Sequence, residues 1–193
     1  MKIKLLVVIV AVQFAFTVQS AVDAQKQVQD IVIEEYSKTD SLEEAKKVYV
    51  EAFFARTDFT FTKEQLSKNF ENKAARFQEQ YPNIRAFKAK KNGELIGFVV
   101  AALFTIESGA KRGFLLSLAV IPSEQSKGVG KKLLDTLVAN CNLNEIEGYI
   151  KKGNIPAEKL FDHYGFKPLD YVPSCRGGHL NEPDFNGYRW IKN

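Results

Sequence analysis

Two cysteines, two histidines, one tryptophan and one methionine are all that 193 residues supply of these types. Cys141 and Cys175 stand in no CxxC pair, and His163 and His179 have no ligand spacing, which argues against a metal site. A disulfide framework needs more cysteines than this; one Cys141–Cys175 pair is conceivable in an oxidising compartment, but separation along the chain does not decide it. A large excess of positive charge is also missing: net charge is only +4, and the lysines are scattered with no arginine-rich block. That removes the footprint of a nucleic-acid binder. No apolar run reaches the ~20 residues of a bilayer span. Repeats, linkers and low-complexity tracts are absent after the first thirty residues.

The start of the chain has its own pattern. "MKIK" places two lysines ahead of "LLVVIVAVQFAFTV", and the small residues of "VQSA" and "VDAQ" follow. Positive residues, an apolar stretch and a small-residue cleavage site, in that order, form a secretory signal. Residues 1–20 are therefore expected to be a signal peptide cut after 20 or 24, residues 21–29 a short linker, and residues 30–193 the folded domain. Cleavage after Ser20 removes Lys2 and Lys4 and lowers the charge from +4 to +2. No cysteine follows the apolar run, so lipid attachment there is excluded. The chain is expected to be exported if the signal functions and cytoplasmic otherwise.

The rest reads as alternating elements. "DIVIEEYS" alternates like a strand, and "SLEEAKKVYVEAFF" opens with Ser41 and Glu44 in capping-box spacing. Thr62 caps a second helix that ends at Tyr81-Pro82, and Asn92-Gly93 turns a hairpin. A strand "KRGFLLSLAVI" ends at Pro122, and a helix runs to about Asn140. "EIEGYIKKG", "IPAEKLFDHYG" and "FKPLDYV" follow as strand, helix and strand. A polar loop then leads to a last strand, "YRWIKN". The order predicts one mixed α/β domain with a largely antiparallel front sheet and parallel pairing around the later helices.

The chemistry concentrates in "LAVIPSEQSKGVGKKLLD", residues 118–135. Here a strand passes through a turn with two glycines into a helix. First-turn amides have no intrahelical acceptor, and the peptide dipoles add positive charge there. Gly128 and Gly130 carry no Cβ to hinder an anion, and Lys127 and Lys131 add charge. A phosphate or pyrophosphate suits such a turn. GxxxxGK[ST] is not met, because Lys131 and Lys132 follow Gly130, and GxGxxG fails at Leu133.

The series Leu118, Val120, Pro122, Gln125, Gly128, Gly130 resembles the acyl-CoA motif L-x-V-x-P…[R/Q]-x-x-G-x-G/A of the GNAT superfamily, the Gcn5-related N-acetyltransferases. "NIPAEKLFDHYGF" is similar to the family's second motif, N-x-x-A-x-x-x-Y-x-x-x-G-F, with Asn154, Ala157, Gly165 and Phe166 in register. The resemblance implies the GNAT fold: a central mixed sheet of about seven strands flanked by about four helices. It implies acetyl transfer from acetyl-CoA, without a metal, to an amine on a small molecule, peptide or protein. Pyrophosphate would lie on the amides of Gln125, Ser126, Lys127, Gly128, Val129 and Gly130, with Lys131 nearby. The pantetheine arm would follow Leu118, Ala119 and Val120, with the Val120 amide facing the thioester carbonyl. Asn154 and Phe161 would line the arm's far side.

Phe161 departs from the family pattern, where a tyrosine protonates the leaving thiolate. Tyr164 is either a substitute acid or a packing residue. No carboxylate stands in "FLLSLAV", which offers only Ser117; Glu107 and Glu147 are either bases acting through water or solvated strand-edge charges. Phe53, Phe54, Phe59 and Phe61 are either walls of an acceptor pocket or core, and Glu182 and Asp184 are placed to attract a cation. The alternative to an enzyme is a GNAT-fold module that holds acyl-CoA with weak or no catalysis, exported for an interaction role. The acceptor's identity and the oligomeric state stay open.

Overall fold

A computed structural model describes residues 31–192 except 38, 57–59 and 176–177. The expected signal peptide and linker, and Phe59, lie outside the described residues. The elements are β1 (Ile31–Glu35), α1 (Leu42–Phe54), α2 (Lys63–Gln80), β2 (Ile84–Lys91), β3 (Glu94–Thr105), β4 (Lys111–Val120), α3 (Val129–Cys141), β5 (Glu145–Lys151), α4 (Ile155–Tyr164), then β6 (Lys167–Pro168), β7 (Val172–Pro173), β8 (His179–Leu180) and β9 (Phe185–Ile191). Seven strands form one sheet in the order β1-β2-β3-β4-β5-β9-β6, with β7 and β8 paired separately. The expected seven-stranded mixed sheet with four helices is what the chain forms.

Alternation along the strands divides two cores. Val99 and Ala101 face α3, whose Val129, Leu133, Leu134, Leu137 and Cys141 form one buried stripe, joined by Phe161 and Phe166. Phe98 and Ala119 face the other way, onto Ala45, Val48, Tyr49 and Ala52 of α1 and Leu66 of α2. Each fully buried leucine contributes about 2 kcal/mol. The helices thus lie on both sides of the sheet, α1 and α2 on one face, α3 and α4 on the other.

Local signals were partly realised. Thr62 forms a capping box, its backbone amide donating to Gln65 Oε1 at 2.8 Å. Ser41 is the N-cap of α1 but makes no side-chain cap bond; its carbonyl is instead held by the Tyr36 hydroxyl at 2.6 Å. Asn92 and Gly93 both take positive φ, 53° and 84°, as a tight hairpin turn requires. The expected strand "FKPLDYV" is interrupted: β6 ends at Pro168, with one further backbone bond to β9, from the Leu169 amide to the Gly187 carbonyl at 2.9 Å. The last strand begins earlier than expected, at Phe185.

Among the described pairings of the main sheet, only β4–β5 is parallel, and it lasts three rungs, Arg112↔Glu145, Gly113↔Ile146 and Phe114↔Glu147. Past Phe114 the two strands part. β4 carries a bulge between Leu115 and Ser117, where the register with β3 shifts, and a bulge bends and twists its strand. β5 meanwhile stays paired with β9 from Glu145↔Ile191 to Lys151↔Phe185. One strand turns away while the other is held, and a wedge opens beside residues 115–120.

Candidate active site

The wedge exposes backbone donors. The Ile121 amide donates to Ile96 of β3 at 3.0 Å, so the shared peptide plane points the Val120 carbonyl away from β3. Strand alternation then aims the amides of Val120 and Leu118 into the wedge as well. The Val120 carbonyl accepts from Gln125 Nε2 at 2.9 Å. Gln125 therefore ties the turn to the wedge's rim by its side chain.

Beyond a short 3-10 turn, Pro122–Glu124, Ser126 and Gly128 take positive φ of 60° and 82°. The first backbone bond of α3 runs from Lys132 to the Gly128 carbonyl at 3.0 Å. The amides of Val129, Gly130 and Lys131 are thus left without acceptors inside the helix. A Cβ on Gly128 would meet nothing within 4 Å, so the turn is open on that side to an approaching anion. Gly130 is different: a Cβ there would stand 2.9 Å from Leu160 Cδ2 of α4. Its small size serves the approach of α4 to α3.

The lysines of the turn are partnered. Glu124 is buried and holds Lys91 Nζ at 3.1 Å and Lys127 Nζ at 3.4 Å. Burial alone would raise the Glu124 carboxyl, but the two ammonium groups outweigh it and hold its pKa below the ordinary value. Lys131 Nζ lies 2.7 Å from Asp135 on the same helix.

On α4, the Asn154 side chain accepts from the Ala157 amide at 3.4 Å, capping the helix. Phe161 is 5% exposed. Its ring stacks on Phe166 with centroids 4.1 Å apart and meets Tyr188 edge-on at 5.4 Å. Tyr164 packs beside Phe166 and Trp190, and its hydroxyl stands by Asp135 of α3. Burial, reinforced by Asp135, pushes its pKa well up.

Of the two carboxylates considered as bases, Glu107 sits on the β3–β4 turn. From there to Val120 the strand runs roughly 30 Å at ~3.3 Å per residue. Glu147 is not a solvated edge charge: β5 is an inner strand, and the residue is 4% exposed. Its Oε1 accepts from Arg189 Nε at 2.8 Å and its Oε2 lies 3.4 Å from Arg112. Arg112 also pairs with Glu145, and Arg189 donates onward to the Tyr171 hydroxyl at 2.8 Å. Both oxygens are spoken for by guanidinium groups. Ser117 projects on the α1 side, across from Val100.

A cavity of about 210 Å³ lies on that same side, over the last paired rung of β4 and β5. Phe104, Ile106 and Phe114 give it apolar walls, Arg112 and Glu147 a charged floor, and Ser174 and Cys175 a cover. Cys175 Sγ is 2.7 Å from the Tyr81 hydroxyl at the end of α2. Both cysteines are free. Phe53, Phe54, Phe61, Glu182 and Asp184 do not line this cavity; Tyr49 rests on Phe53 at 4.4 Å, and Phe54 lies under Lys63. The cavity's residues come from strands and a loop joined only by sheet topology, so no local pattern marks them. Among the described residues no group of three metal-ligating side chains occurs and no helix is long and apolar enough to cross a membrane.

A mixed sheet forked between two parallel strands, with open amides at a glycine turn beside the fork, defines an acyl-group-transfer scaffold. The profile of the Acetyltransferase (GNAT) family matches residues 42–166, and the chain belongs to that family. Among solved structures it is similar to the PaiA N-acetyltransferase of Thermoplasma acidophilum in complex with coenzyme A. That match has 20% identity, a TM-score of 0.61, and covers 84% of this chain and 99% of the other. The ribosomal-protein-S18-alanine N-acetyltransferase of Escherichia coli matches with 20% identity and a TM-score of 0.56, covering 83% and 93%. Arabidopsis thaliana Naa50, bound to the bisubstrate analogue CoA-Ac-MVNAL, matches with 17% identity and a TM-score of 0.56, covering 84% and 99%. At these identities the likeness is one of fold. No curated protein matches the chain.

Proposed function

We propose that the protein transfers an acetyl group from acetyl-CoA to a primary amine. The carrying observation is the wedge: Leu118 and Val120 amides face an opening that ends at the open amides of the Gly128 turn. A diphosphate suits that turn, and the strand amides suit a thioester carbonyl, whose oxygen gains negative charge as the amine attacks. The new C–N bond forms as the C–S bond breaks, the amine loses a proton and coenzyme A leaves as thiolate. An ordinary thiol titrates near pKa ~8.5, so this leaving group departs with modest assistance. The fold likeness to proteins crystallised with coenzyme A or a CoA-peptide analogue supports the donor, and amine or peptide acceptors suit the same reading.

A second reading has its own observation. Phe161 occupies the position of the family's tyrosine, and its ring is consumed in a stack with Phe166. A module that holds acyl-CoA without efficient turnover would tolerate this. The leader supports export, in which case the donor must be met outside the cytoplasm.

Titration calorimetry with acetyl-CoA on protein starting near residue 30 tests both readings; heat of binding at micromolar to millimolar ligand is expected. Free thiol released across an amine panel then separates them. The transfer reading expects release by the parent protein, and up to ~10²-fold faster release in Phe161→Tyr if its hydroxyl reaches the thiolate. Binding without release in either protein leaves the holding module.

A further inference from the structure

We propose that the side-chain amide of Gln125 competes with the arm of the acyl carrier for the Val120 carbonyl, and so hastens the departure of coenzyme A after transfer. This rests on the transfer reading of the wedge. The register of β4 with β3 is regular at its end, Val99↔Leu118, Phe98↔Ala119 and Gly97↔Val120. In an extended strand the N–H and C=O of one residue point the same way, and the next residue's point the other way. The Ile121 amide is turned to Ile96 of β3 at 3.0 Å, so the Val120 carbonyl faces the wedge together with the Val120 amide. Gln125 Nε2 donates to that carbonyl at 2.9 Å and therefore stands inside the wedge at the level of Val120.

The chemistry of the carrier makes this a contest between like groups. Coenzyme A joins its nucleotide to its thiol through a pantetheine arm of linked amides, and an edge that alternates N–H with C=O is complementary to such an arm, as one strand is to the next. Gln125 already presents an amide N–H to the acceptor that an arm N–H would take. A carbonyl oxygen keeps a second lone pair, but a donor on the wedge side takes the space as well. The backbone around Gln125 is fixed: its amide donates to the Pro122 carbonyl at 3.3 Å and the Glu124 amide to Ile121 at 3.0 Å, while the Glu124 carboxylate is held by Lys91 and Lys127. Only the half-buried side chain is left to swing. A nucleotide diphosphate without an arm seats on the Gly128 turn with Gln125 in place. A carrier with an arm must exchange one amide hydrogen bond for another, and the returning carboxamide displaces the arm when coenzyme A leaves.

The test measures calorimetric affinities for coenzyme A and for adenosine 3′-phosphate 5′-diphosphate, which is coenzyme A without its arm, on the same preparation of each protein. In Gln125→Met, which keeps the bulk and loses the donor, the preference for coenzyme A over the armless nucleotide is expected to rise roughly 2-fold to 10-fold, the worth of one ordinary hydrogen bond. The dissociation rate of coenzyme A should fall by a similar factor. Gln125→Arg keeps a donor and should hold the preference near the parent value while its charge tightens both ligands. In ¹⁵N spectra of the parent, the carboxamide pair that Gln125→Met removes should shift with coenzyme A and stay in place with the armless nucleotide. If Gln125→Met weakens both ligands by one factor, the side chain only braces the turn, and the proposal is overturned. A fall in the preference, or a carboxamide pair that coenzyme A leaves unmoved, overturns it as well, while binding of acetyl-CoA leaves the transfer reading standing. Failure to bind acetyl-CoA at millimolar concentration overturns both.

Discussion

At the scale of single residues, the two glycines of the turn have separate jobs. Gly128 sits at φ 82°, where a Cβ would meet open space, so the demand there is on backbone conformation alone. Gly130 has ordinary helical geometry, and a Cβ would press on the end of a movable leucine side chain. Alanine at 128 is expected to cost about 1–2 kcal/mol of left-handed strain and to weaken acetyl-CoA binding, because the turn that presents the amides must relax. Alanine at 130 should cost less than that, since Leu160 can rotate aside. Urea denaturation of both variants, with and without acetyl-CoA, checks the order. A larger loss at 130 than at 128 would mean that contact between α3 and α4, rather than turn geometry, is what the motif protects. The motif was legible in the chain. The division of labour within it was not, because Leu160 lies thirty residues on and meets Gly130 only through tertiary packing.

Elements show the same split between local and distant causes. The α2 cap at Thr62 and the Asn92-Gly93 hairpin were readable because each is satisfied within four residues. The start of α1 at Ser41 was readable as well, but not how it is held: Ser41 makes no side-chain cap bond, and its carbonyl accepts from the Tyr36 hydroxyl just past β1. The anion turn belongs with the latter kind: Glu124 joins it to the last residue of β2 through Lys91. This carboxyl has its pKa lowered in the fold from the unfolded value of 4.5, burial being outweighed by Lys91 and Lys127. Its contribution is therefore complete above pH 4.5 and is lost as pH falls through the lower folded value. Thermal unfolding of the parent protein should weaken over that acid window. Glu124→Gln should be less stable at pH 7 and show a smaller acid-driven loss. Parallel acid limbs in the two proteins would show that other carboxylates carry the dependence.

At the scale of the whole molecule, the fork in the sheet is braced by charge on one side. Arg112 of β4, Glu145 and Glu147 of β5 and Arg189 of β9 form one chain of ion pairs that continues to Tyr171. Three strands and a loop meet there, just below the rung where β4 and β5 part. The four residues are spread over 78 positions, so only the strand order brings them together; from the chain alone Glu147 reads as a solvated strand-edge charge before it reads as a base. The two roles make opposite forecasts. A buried carboxylate between two guanidiniums is a structural group, and replacing it strands charge: Glu147→Gln is expected to lower stability by about 3 kcal/mol or more. Any remaining acetyl transfer should keep its kcat/KM dependence on pH unaltered in shape, because no proton passes through this residue. Arg189→Met should cost less, since Arg112 still partners the carboxylate. Guanidinium chloride unfolding and pH–rate profiles of the three proteins decide the matter. A stable Glu147→Gln protein that loses one limb of its pH profile would move this residue from the brace to the chemistry.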